Sequence, residues 1–354
     1  MKQKTILFFS CEPGGAEVLI PVIRLLEAET AYRIIVLSYG LGAERFSRKG
    51  IGYVEINRVG KNERSLFNSH QPALLITSAT SLPDRDMSEK HLWQTAEQLG
   101  IPSLVFLDQW QNYAIRFSGP ATNEHLTYLP NHINCIDEIG KREMTALGFA
   151  PEKLLTLGHP YLSAIRDEFD KINTDNIIPQ LGLPANQKVA LFVSEPILEY
   201  YGRTRGYDQY QAFAMFLEAM RDRLGGWRPL LKLHPKDQSS EFDKVIRAYP
   251  QLTPLVISNQ MNSLECLKIA DLVVGMTSIM LIESFVLGNK VVSLQPDLQV
   301  EDPLVLTRHA LIPKATTPEE LNRSDSDTFT KKRGIHIKFD REAFFRFLHI
   351  TLSE

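Results

Sequence analysis

Two stretches in the second half of the chain combine residue types suited to binding an anion. In the first stretch, the apolar run Leu230–Leu233 ends in His234, and Pro235 follows. Proline fixes its own φ and restricts the residue before it to an extended conformation. The imidazole of His234 is therefore expected to project from a strand end and donate a hydrogen bond to a phosphate. The alternative is a strand-end surface histidine without a ligand.

The second stretch reads as a strand, a glycine turn, two hydroxyl residues and a helix. Gly275 ends the apolar strand, and Thr277 or Ser278 then caps the predicted helix. Free amides in the first turn of a helix, together with the helix dipole, favour a bound diphosphate. Glu283 is expected to reach a ribose or base hydroxyl from the exposed face of this helix. We expect the strand that ends at His234 to be the neighbour of this strand in the sheet. An ordinary capping motif is the alternative.

A carboxylate follows another apolar run in the first half of the chain. Asp108 comes directly after Ser103–Leu107, and Trp110 and Arg116 lie shortly beyond it. A carboxylate here could act as a general base that removes the proton of an attacking hydroxyl. Trp110 is expected to stack on a sugar or base, and Arg116 to pair with an anion. In the alternative, Asp108 caps a turn and Trp110 belongs to the core.

Adjacent glycines join the first predicted strand to the first predicted helix. Gly14 and Gly15 would let backbone amides approach a ligand, and Glu12 would line the same loop. Glu17 is a second candidate for the catalytic base. The Gly-x-Gly-x-x-Gly spacing of dinucleotide-binding proteins is absent. A tight strand-to-helix turn is the alternative.

Weaker candidates follow two other predicted strands. Ser194 and Glu195 come directly after Val189–Val193 and are expected to contact the nucleotide. His159 and Pro160 repeat the histidine-proline pair, but they lie near a predicted domain boundary, which favours a structural role.

The cysteines and acidic residues give no sign of a metal site. The three cysteines, Cys11, Cys135 and Cys266, lack metal-ligand spacing and read as buried residues of a reducing compartment. No Asp-x-Asp element stands between predicted strands. We therefore expect no metal and no other cofactor, with His234 and a helix N-terminus supplying the positive potential.

The candidate residues lie between short apolar runs that alternate with amphipathic stretches. This alternation is typical of parallel sheets covered by helices. The predicted strands are Ile6–Phe9, Arg33–Leu37, Leu74–Thr77, Ser103–Leu107, Leu154–Leu157, Val189–Val193, Leu230–Leu233, Leu255–Ile257, Leu272–Val274 and Lys290–Leu294. The first helix is predicted over Glu17–Glu29 and the last over Arg341–Leu352. The fold class is therefore α/β, with two Rossmann-like domains facing a central cleft.

The length of 354 residues favours two domains. Residues 1–170 are predicted to form an N-terminal domain, residues 171–335 a C-terminal domain, and residues 336–354 a C-terminal helix. A net charge of −3 argues against nucleic acid as a partner, and Lys331–Arg333 is interpreted as a solvated turn. No apolar run reaches the ~18 residues of a membrane span. A cytoplasmic protein is expected, and peripheral association with a membrane stays open.

These stretches together resemble a known superfamily. Asp271–Pro296 resembles the C-terminal domain of GT-B glycosyltransferases and of related nucleotide-sugar epimerases. Lys232–Pro235 resembles the His-Pro motif of bacterial sialyltransferases, capsule glycosyltransferases and teichoic-acid glycerophosphotransferases. Gly148–Ser163 resembles the strand and turn that close the N-terminal domain. The resemblance implies that residues 1–170 form the acceptor-side domain and residues 171–335 the nucleotide-sugar-binding domain. It also implies that His234, Thr277 and Ser278 bind the donor phosphate.

The resemblance also implies a reaction. A metal-independent, inverting glycosyltransferase would move a sugar from a nucleotide-sugar donor to a saccharide or lipid-linked acceptor in bacterial surface polysaccharide synthesis. The epimerases usually show Ser-Gly-Gly where this chain has Thr277–Met280, which favours transfer. Three alternatives stay open: a nucleotide-sugar 2-epimerase, a CDP-polyol phosphotransferase and a non-catalytic nucleotide-binding module.

Overall fold

The computed structural model describes residues 3–184, 186–222, 226–258, 260–324, 335 and 337–353. The basic cluster at 331–333 lies outside them. The chain divides into two compact units, which we call unit 1 (Met1–Ala164 with Ile335–Glu354) and unit 2 (Ile165–Gly334). The domain boundaries at residues 170 and 335 stay predictions.

Each unit is built on a parallel sheet. The strands of unit 1 are β1 Lys4–Ser10, β2 Tyr32–Ser38, β3 Val54–Glu55, β4 Leu74–Thr77, β5 Ser103–Phe106, β6 His132–Asn134 and β7 Leu154–Leu155. The strands of unit 2 are β8 Lys188–Val193, β9 Trp227–Lys232, β10 Leu255–Ile257, β11 Leu272–Gly275, β12 Lys290–Leu294 and β13 Lys314–Ala315.

Helices connect these strands. They are α1 Pro13–Glu27, α2 Gly40–Arg48, α3 Ser65–His70, α4 Ser88–Gln98, α5 Tyr113–Arg116, α6 Glu138–Ala146, α7 Pro160–Asp170, α8 Ile177–Gln180, α9 Ile197–Tyr201, α10 Gln209–Arg221, α11 Ser239–Ala248, α12 Ser263–Ile269, α13 Ile279–Leu287, α14 Val305–Arg308, α15 Pro318–Ser324 and α16 Arg341–Ser353. Among the described residues, no helix is long and apolar enough to cross a bilayer.

The strand order shows where each sheet can bind a ligand. The seven strands of unit 1 run β3-β2-β1-β4-β5-β6-β7, and the six of unit 2 run β10-β9-β8-β11-β12-β13. The order therefore reverses between β1 and β4 in unit 1, and between β8 and β11 in unit 2. Open parallel sheets bind ligands beyond the carboxyl ends of the strands at such switch points. The predicted α/β class with two parallel sheets is confirmed.

The first helix starts earlier than predicted. It begins at Pro13, four residues before Glu17, so that Gly14 and Gly15 belong to its first turn and Pro21 lies inside it. Proline has no amide hydrogen to offer, so it fits the first helical position, where that amide would be unpaired anyway. The glycine pair is therefore helical, and the predicted loop at these residues is wrong.

The last helix completes the core of unit 1. Phe344 and Leu348 of α16 are buried among residues of α1, β1, β4 and β5. The ring of Phe344 meets the ring of Phe106 edge-on, with centroids 6.0 Å apart. The amide of Asp340, just before α16, donates to the carbonyl of Leu157 at 2.8 Å. The chain therefore returns to unit 1 after building unit 2.

Candidate functional site

A carboxylate joins the two segments that follow the switch-point strands of unit 2. Glu195 follows β8 and Thr277 follows β11. The carboxylate of Glu195 accepts hydrogen bonds from the amide of Thr277 at 3.0 Å and from its hydroxyl at 2.8 Å. Burial raises the pKa of Glu195. An anion placed at the Thr277 amide would therefore meet the Glu195 carboxylate, which already accepts that amide hydrogen. The sequence did not indicate this contact.

Arg205 belongs to the same network and was missed by the sequence analysis. Its Nη1 donates to the hydroxyl of Thr277 at 2.9 Å, and its guanidinium lies 3.8 Å from the ring centroid of Tyr201. The residue is only 4% exposed. Gly206, at φ +90°, gives the chain the turn that follows. No sequence signal distinguishes this arginine from the exposed ones of the same polar segment.

His234 has a fixed tautomer and an unused donor. Its Nδ1 accepts the amide hydrogen of Lys236 at 3.2 Å, so the ring proton resides on Nε2. Nε2 has no hydrogen-bond partner in the part of the chain that the structure describes. The backbone amide of His234 donates to Asp237 at 2.9 Å, which holds the turn. Burial lowers the pKa of His234 to about 4, so the imidazole is neutral near pH 7. Pro235 is exposed beside it.

The predicted phosphate site differs from the structure in two respects. His234 follows β9, which is not adjacent to β11, because β8 lies between them in the sheet. Glu283 is only 4% exposed. Its predicted place on an exposed helix face is wrong, because α13 is packed against β11 and β12.

The cap of α13 is confirmed. Ser278 is the N-cap residue, and its hydroxyl accepts the amide hydrogen of Met280 at 3.3 Å. The nearby Ser194 is buried at the end of β8. That Ser194, Ser278 and Glu283 contact a nucleotide stays a prediction.

In unit 1, Asp108 lies beyond the carboxyl end of β5 and is held by two residues. Nη1 of Arg116 is 2.9 Å from Oδ1 of Asp108, and Nε of Arg116 donates to the carbonyl of Gln111 at 3.2 Å. Nε2 of His159 donates to the backbone carbonyl of Asp108 at 3.1 Å. The side chain of Asp108 keeps 20% of its surface exposed. The anion with which Arg116 pairs in this structure is therefore Asp108.

Trp110 cannot serve as a stacking platform for a sugar. It is 1% exposed, its indole donates to Asp137 at 2.8 Å, and its ring stacks on His159 at 5.9 Å. His159 accepts the amide hydrogen of Leu162 through Nδ1, and burial lowers its pKa to about 4. The ligand-stacking prediction for Trp110 is wrong, because the core of unit 1 encloses the ring.

The glycine pair allows close helix packing. A Cβ at Gly14 would collide with the carboxylate of Asp108, and one at Gly15 would collide with Ser78. The two glycines thus let α1 approach the strand ends of unit 1. Glu12 directly precedes this helix as its N-cap residue. Glu17 is buried and forms an ion pair with Arg45 of α2, so its carboxylate is engaged in helix packing.

Two further ionisable residues of unit 1 escaped the sequence analysis. Glu89 and Lys90 lie in the first turn of α4, and both are fully buried. The carboxylate of Glu89 accepts hydrogen bonds from the hydroxyl of Ser78 and the amide of Thr80. Burial raises the pKa of Glu89 to about 7. Nζ of Lys90 has no hydrogen-bond partner among the described residues.

The cysteines and the acidic residues form no reactive or metal-binding cluster within the described ranges. Cys11, Cys135 and Cys266 are free and buried. Burial and the nearby acid Glu89 raise the pKa of Cys11, which disfavours a nucleophilic thiolate. No group of three or more His, Cys, Asp or Glu side chains there is arranged to hold a metal ion.

Comparison with known proteins identifies the fold. No family model matches the sequence, and no curated protein matches it. Among solved structures, the UDP-GlcNAc 2-epimerase from Neisseria meningitidis bound to UDP-GlcNAc has a TM-score of 0.70 at 13% identity, over 99% of this chain and 100% of that one. The S. aureus MnaA–UDP co-structure gives 0.72 at 12%, over 99% and 97%. A glycosyltransferase from Rickettsia africae gives 0.62 at 12%, over 100% and 94%. The chain therefore has the GT-B fold.

Proposed function

We propose that the protein is a nucleotide-sugar enzyme that transfers a glycosyl group, with the donor phosphate bound in unit 2. The observation that carries the proposal is the free Nε2–H of His234 beyond the carboxyl end of β9. The tautomer is set by the Lys236 amide, so this donor is available without any change in protonation. A phosphate oxygen is its natural acceptor, because a hydrogen bond to an ionised group is stronger than a neutral one.

A network around Thr277 fixes the backbone of the neighbouring segments. Thr277 is held by Glu195 from one side and by Arg205 from the other, which fixes the segments after β8 and β11 before a ligand arrives. Arg205 brings a buried positive charge, and Glu195 balances it. Ser278 starts α13 beside them, so the positive end of the helix dipole faces the same region.

For the transfer step we propose Asp108 as the acceptor-side base. The acceptor oxygen attacks the anomeric carbon, the bond from that carbon to the donor phosphate oxygen breaks, and Oδ2 of Asp108 takes the acceptor proton. Arg116 binds Oδ1 and His159 holds the backbone carbonyl, so the carboxylate is oriented. The acceptor would be a saccharide or a lipid-linked saccharide, as in surface polysaccharide synthesis. Three free, buried cysteines favour a cytoplasmic enzyme.

Epimerisation at C2 is the second candidate. The Neisseria meningitidis epimerase and the UDP-bound MnaA structure each cover 99% of this chain, at TM-scores of 0.70 and 0.72, above the 0.62 of the Rickettsia africae glycosyltransferase. The turn at Thr277–Met280, without the Ser-Gly-Gly of the epimerases, favours transfer.

Incubation with UDP-GlcNAc alone, followed by proton NMR, separates the candidates. The C2 epimer appearing without an acceptor would establish epimerisation and refute transfer. Release of UDP only after a saccharide acceptor is added would support transfer. Binding without turnover of UDP-GlcNAc or CDP-glycerol under any acceptor would indicate a binding module.

Binding is tested first by thermal shift with UDP and UDP-GlcNAc. A ligand at about 100 times its Kd stabilises a folded protein by ~2.7 kcal/mol. His234→Ala should reduce this shift, whereas His349→Ala, at an exposed histidine of α16, should leave it unchanged. Equal shifts in both variants would refute the role of His234.

A further inference from the structure

Lys90 is a fully buried amine without a partner. Its side chain has no exposed surface, and Nζ makes no hydrogen bond within the described part of the chain. Removing an ammonium from water costs several kcal/mol unless another group binds it. Buried lysines are accordingly paired in most proteins. The missing partner of Lys90 therefore points to a group that arrives from outside the chain.

The place of Lys90 is one where open parallel sheets bind ligands. Its charged or titratable neighbours come from the segments that follow three adjacent strands: Cys11 after β1, Asp86 and Glu89 after β4, and Arg116 in α5 after β5. The switch point of unit 1 lies between β1 and β4. Lys90 is thus close to the carboxyl edge at which a ligand of unit 1 is expected.

Asp86, which lies near Lys90, and Asp108, which pairs with the neighbouring Arg116, are both bound to other groups. Asp86 accepts a hydrogen bond from the hydroxyl of Tyr39 at 2.6 Å and lies 3.4 Å from Nε of Arg58. Asp108 is paired with Arg116 at 2.9 Å. These contacts balance both carboxylates without Lys90.

The third acid, Glu89, does not satisfy Lys90 either. One of its oxygens accepts the hydroxyl of Ser78 and the other the amide of Thr80. Burial raises the pKa of Glu89 to about 7, so this carboxyl carries only part of a negative charge near neutral pH. Burial also lowers the pKa of Lys90, since its ammonium is removed from water and has no hydrogen-bonding anion among the described residues. An anion that enters beside Nζ would supply the missing partner.

We propose that Lys90, with Arg116 beside it, binds an oxyanion, a carboxylate or phosphate group carried by the acceptor saccharide. That the acceptor carries the oxyanion rests on the proposed function. That an oxyanion binds here rests on Lys90 alone. Because Nζ is enclosed, the segments after β1 and β4 must rearrange when the oxyanion enters.

Ligand-observed NMR with three sugars tests the proposal. Glucuronate supplies a carboxylate, glucose 6-phosphate a phosphate, and glucose no charge. We expect the wild-type protein to bind at least one acidic sugar more tightly than glucose, and Lys90→Met to lose at least tenfold of that affinity. The control Lys61→Met removes an exposed lysine of the same unit and should bind like the wild type.

The result for each acidic sugar identifies the source of the oxyanion. A wild-type protein that binds glucose as tightly as both acidic sugars overturns the proposal, and that comparison requires no variant. Lys90→Met with unchanged affinity for the acidic sugars also overturns it. UDP is added to the same samples: a wild-type protein that binds acidic sugars but not UDP would refute the nucleotide proposal and leave the oxyanion site standing.

Discussion

The buried pair Glu89 and Lys90 allows a stability prediction that is independent of function. The perturbation is Glu89→Gln in a Lys90→Met background, compared with Lys90→Met alone. Glutamine keeps an acceptor for the Thr80 amide and can donate to the hydroxyl of Ser78, so both hydrogen bonds of the carboxylate have a replacement. Methionine fills the volume of the lysine stem without a charge. The comparison therefore isolates the ionisation of Glu89.

The magnitude follows from the pKa of Glu89. Burial raises it from the ordinary 4.5 to about 7, and a pKa difference of one corresponds to about 1.4 kcal/mol. Between these two values the folded state holds the proton and the unfolded state has lost it. The carboxylate therefore costs stability progressively as pH rises from about 4.5 to 7, up to about 3 kcal/mol. Removing Lys90 increases this cost, because its charge lowers the pKa of Glu89.

The expected result is a pH-dependent gain. At pH 8 the double variant should exceed Lys90→Met by at least about 3 kcal/mol in free energy of unfolding, and at pH 5 by less than about 1 kcal/mol. Urea unfolding measured by tryptophan fluorescence reports unit 1 if Trp227 is replaced by Phe, because Trp93 and Trp110 both lie in unit 1. Glu97→Gln, at an exposed position of α4, is the matched control and should change stability by less than about 0.5 kcal/mol.

Two outcomes would refute the reasoning. A gain of equal size at pH 5 and pH 8 would mean that the substitution acts through packing, and not through the charge of Glu89. A loss of stability at pH 8 would mean that the ionised carboxylate is satisfied by its hydrogen bonds, contrary to a raised pKa.

Other predictions concern the proposed activity. His234→Ala should weaken UDP binding by about 1.5–3 kcal/mol without loss of fold, measured by calorimetry; unchanged affinity would return His234 to a surface role. Asp108→Asn should lower turnover by about 10² to 10⁴ with little change in UDP affinity, and joint loss of binding and stability would indicate a structural cap. Thr277→Val removes the hydroxyl that bonds both Glu195 and Arg205, and should destabilise unit 2 by roughly 1.5–3 kcal/mol in chemical unfolding; an unaltered midpoint contradicts this. Activity should survive excess EDTA, and recovery of a chelated enzyme by manganese would overturn a metal-independent mechanism.

The sequence predicts most of the fold, because the apolar pattern of a strand can be read without knowing what packs against it. Leu74–Thr77, Leu255–Ile257 and Lys290–Leu294 have the predicted bounds. Val54–Glu55, His132–Asn134 and Lys314–Ala315 were missed, since two or three residues are too few to show a pattern. An apolar run of four or more residues bounded by polar residues predicts a strand by itself, whereas a strand of two or three residues does not.

The candidate site was harder to predict because burial depends on distant parts of the chain. Trp110 reads as an accessible ring beside polar residues, yet His159 and Asp137 enclose it. Glu89 and Lys90 read as an ordinary charged pair at a helix start, and only the surrounding strand ends bury them. The tautomer of His234 is set by the amide of Lys236, two residues along the chain. The sequence shows Pro235 between them, which predicts a turn but not this hydrogen bond.

The return of the chain to unit 1 has a consequence for synthesis on the ribosome. Residues 1–164 emerge before unit 2, but Phe344 and Leu348 complete the core against Phe106 only after α16 has been synthesised. Domains usually fold in the order in which they are synthesised. Here unit 2, which is continuous over Ile165–Gly334, can reach its native state before unit 1 does. A nascent chain that stops before α16 would leave an apolar face of unit 1 uncovered, open to chaperones and to aggregation.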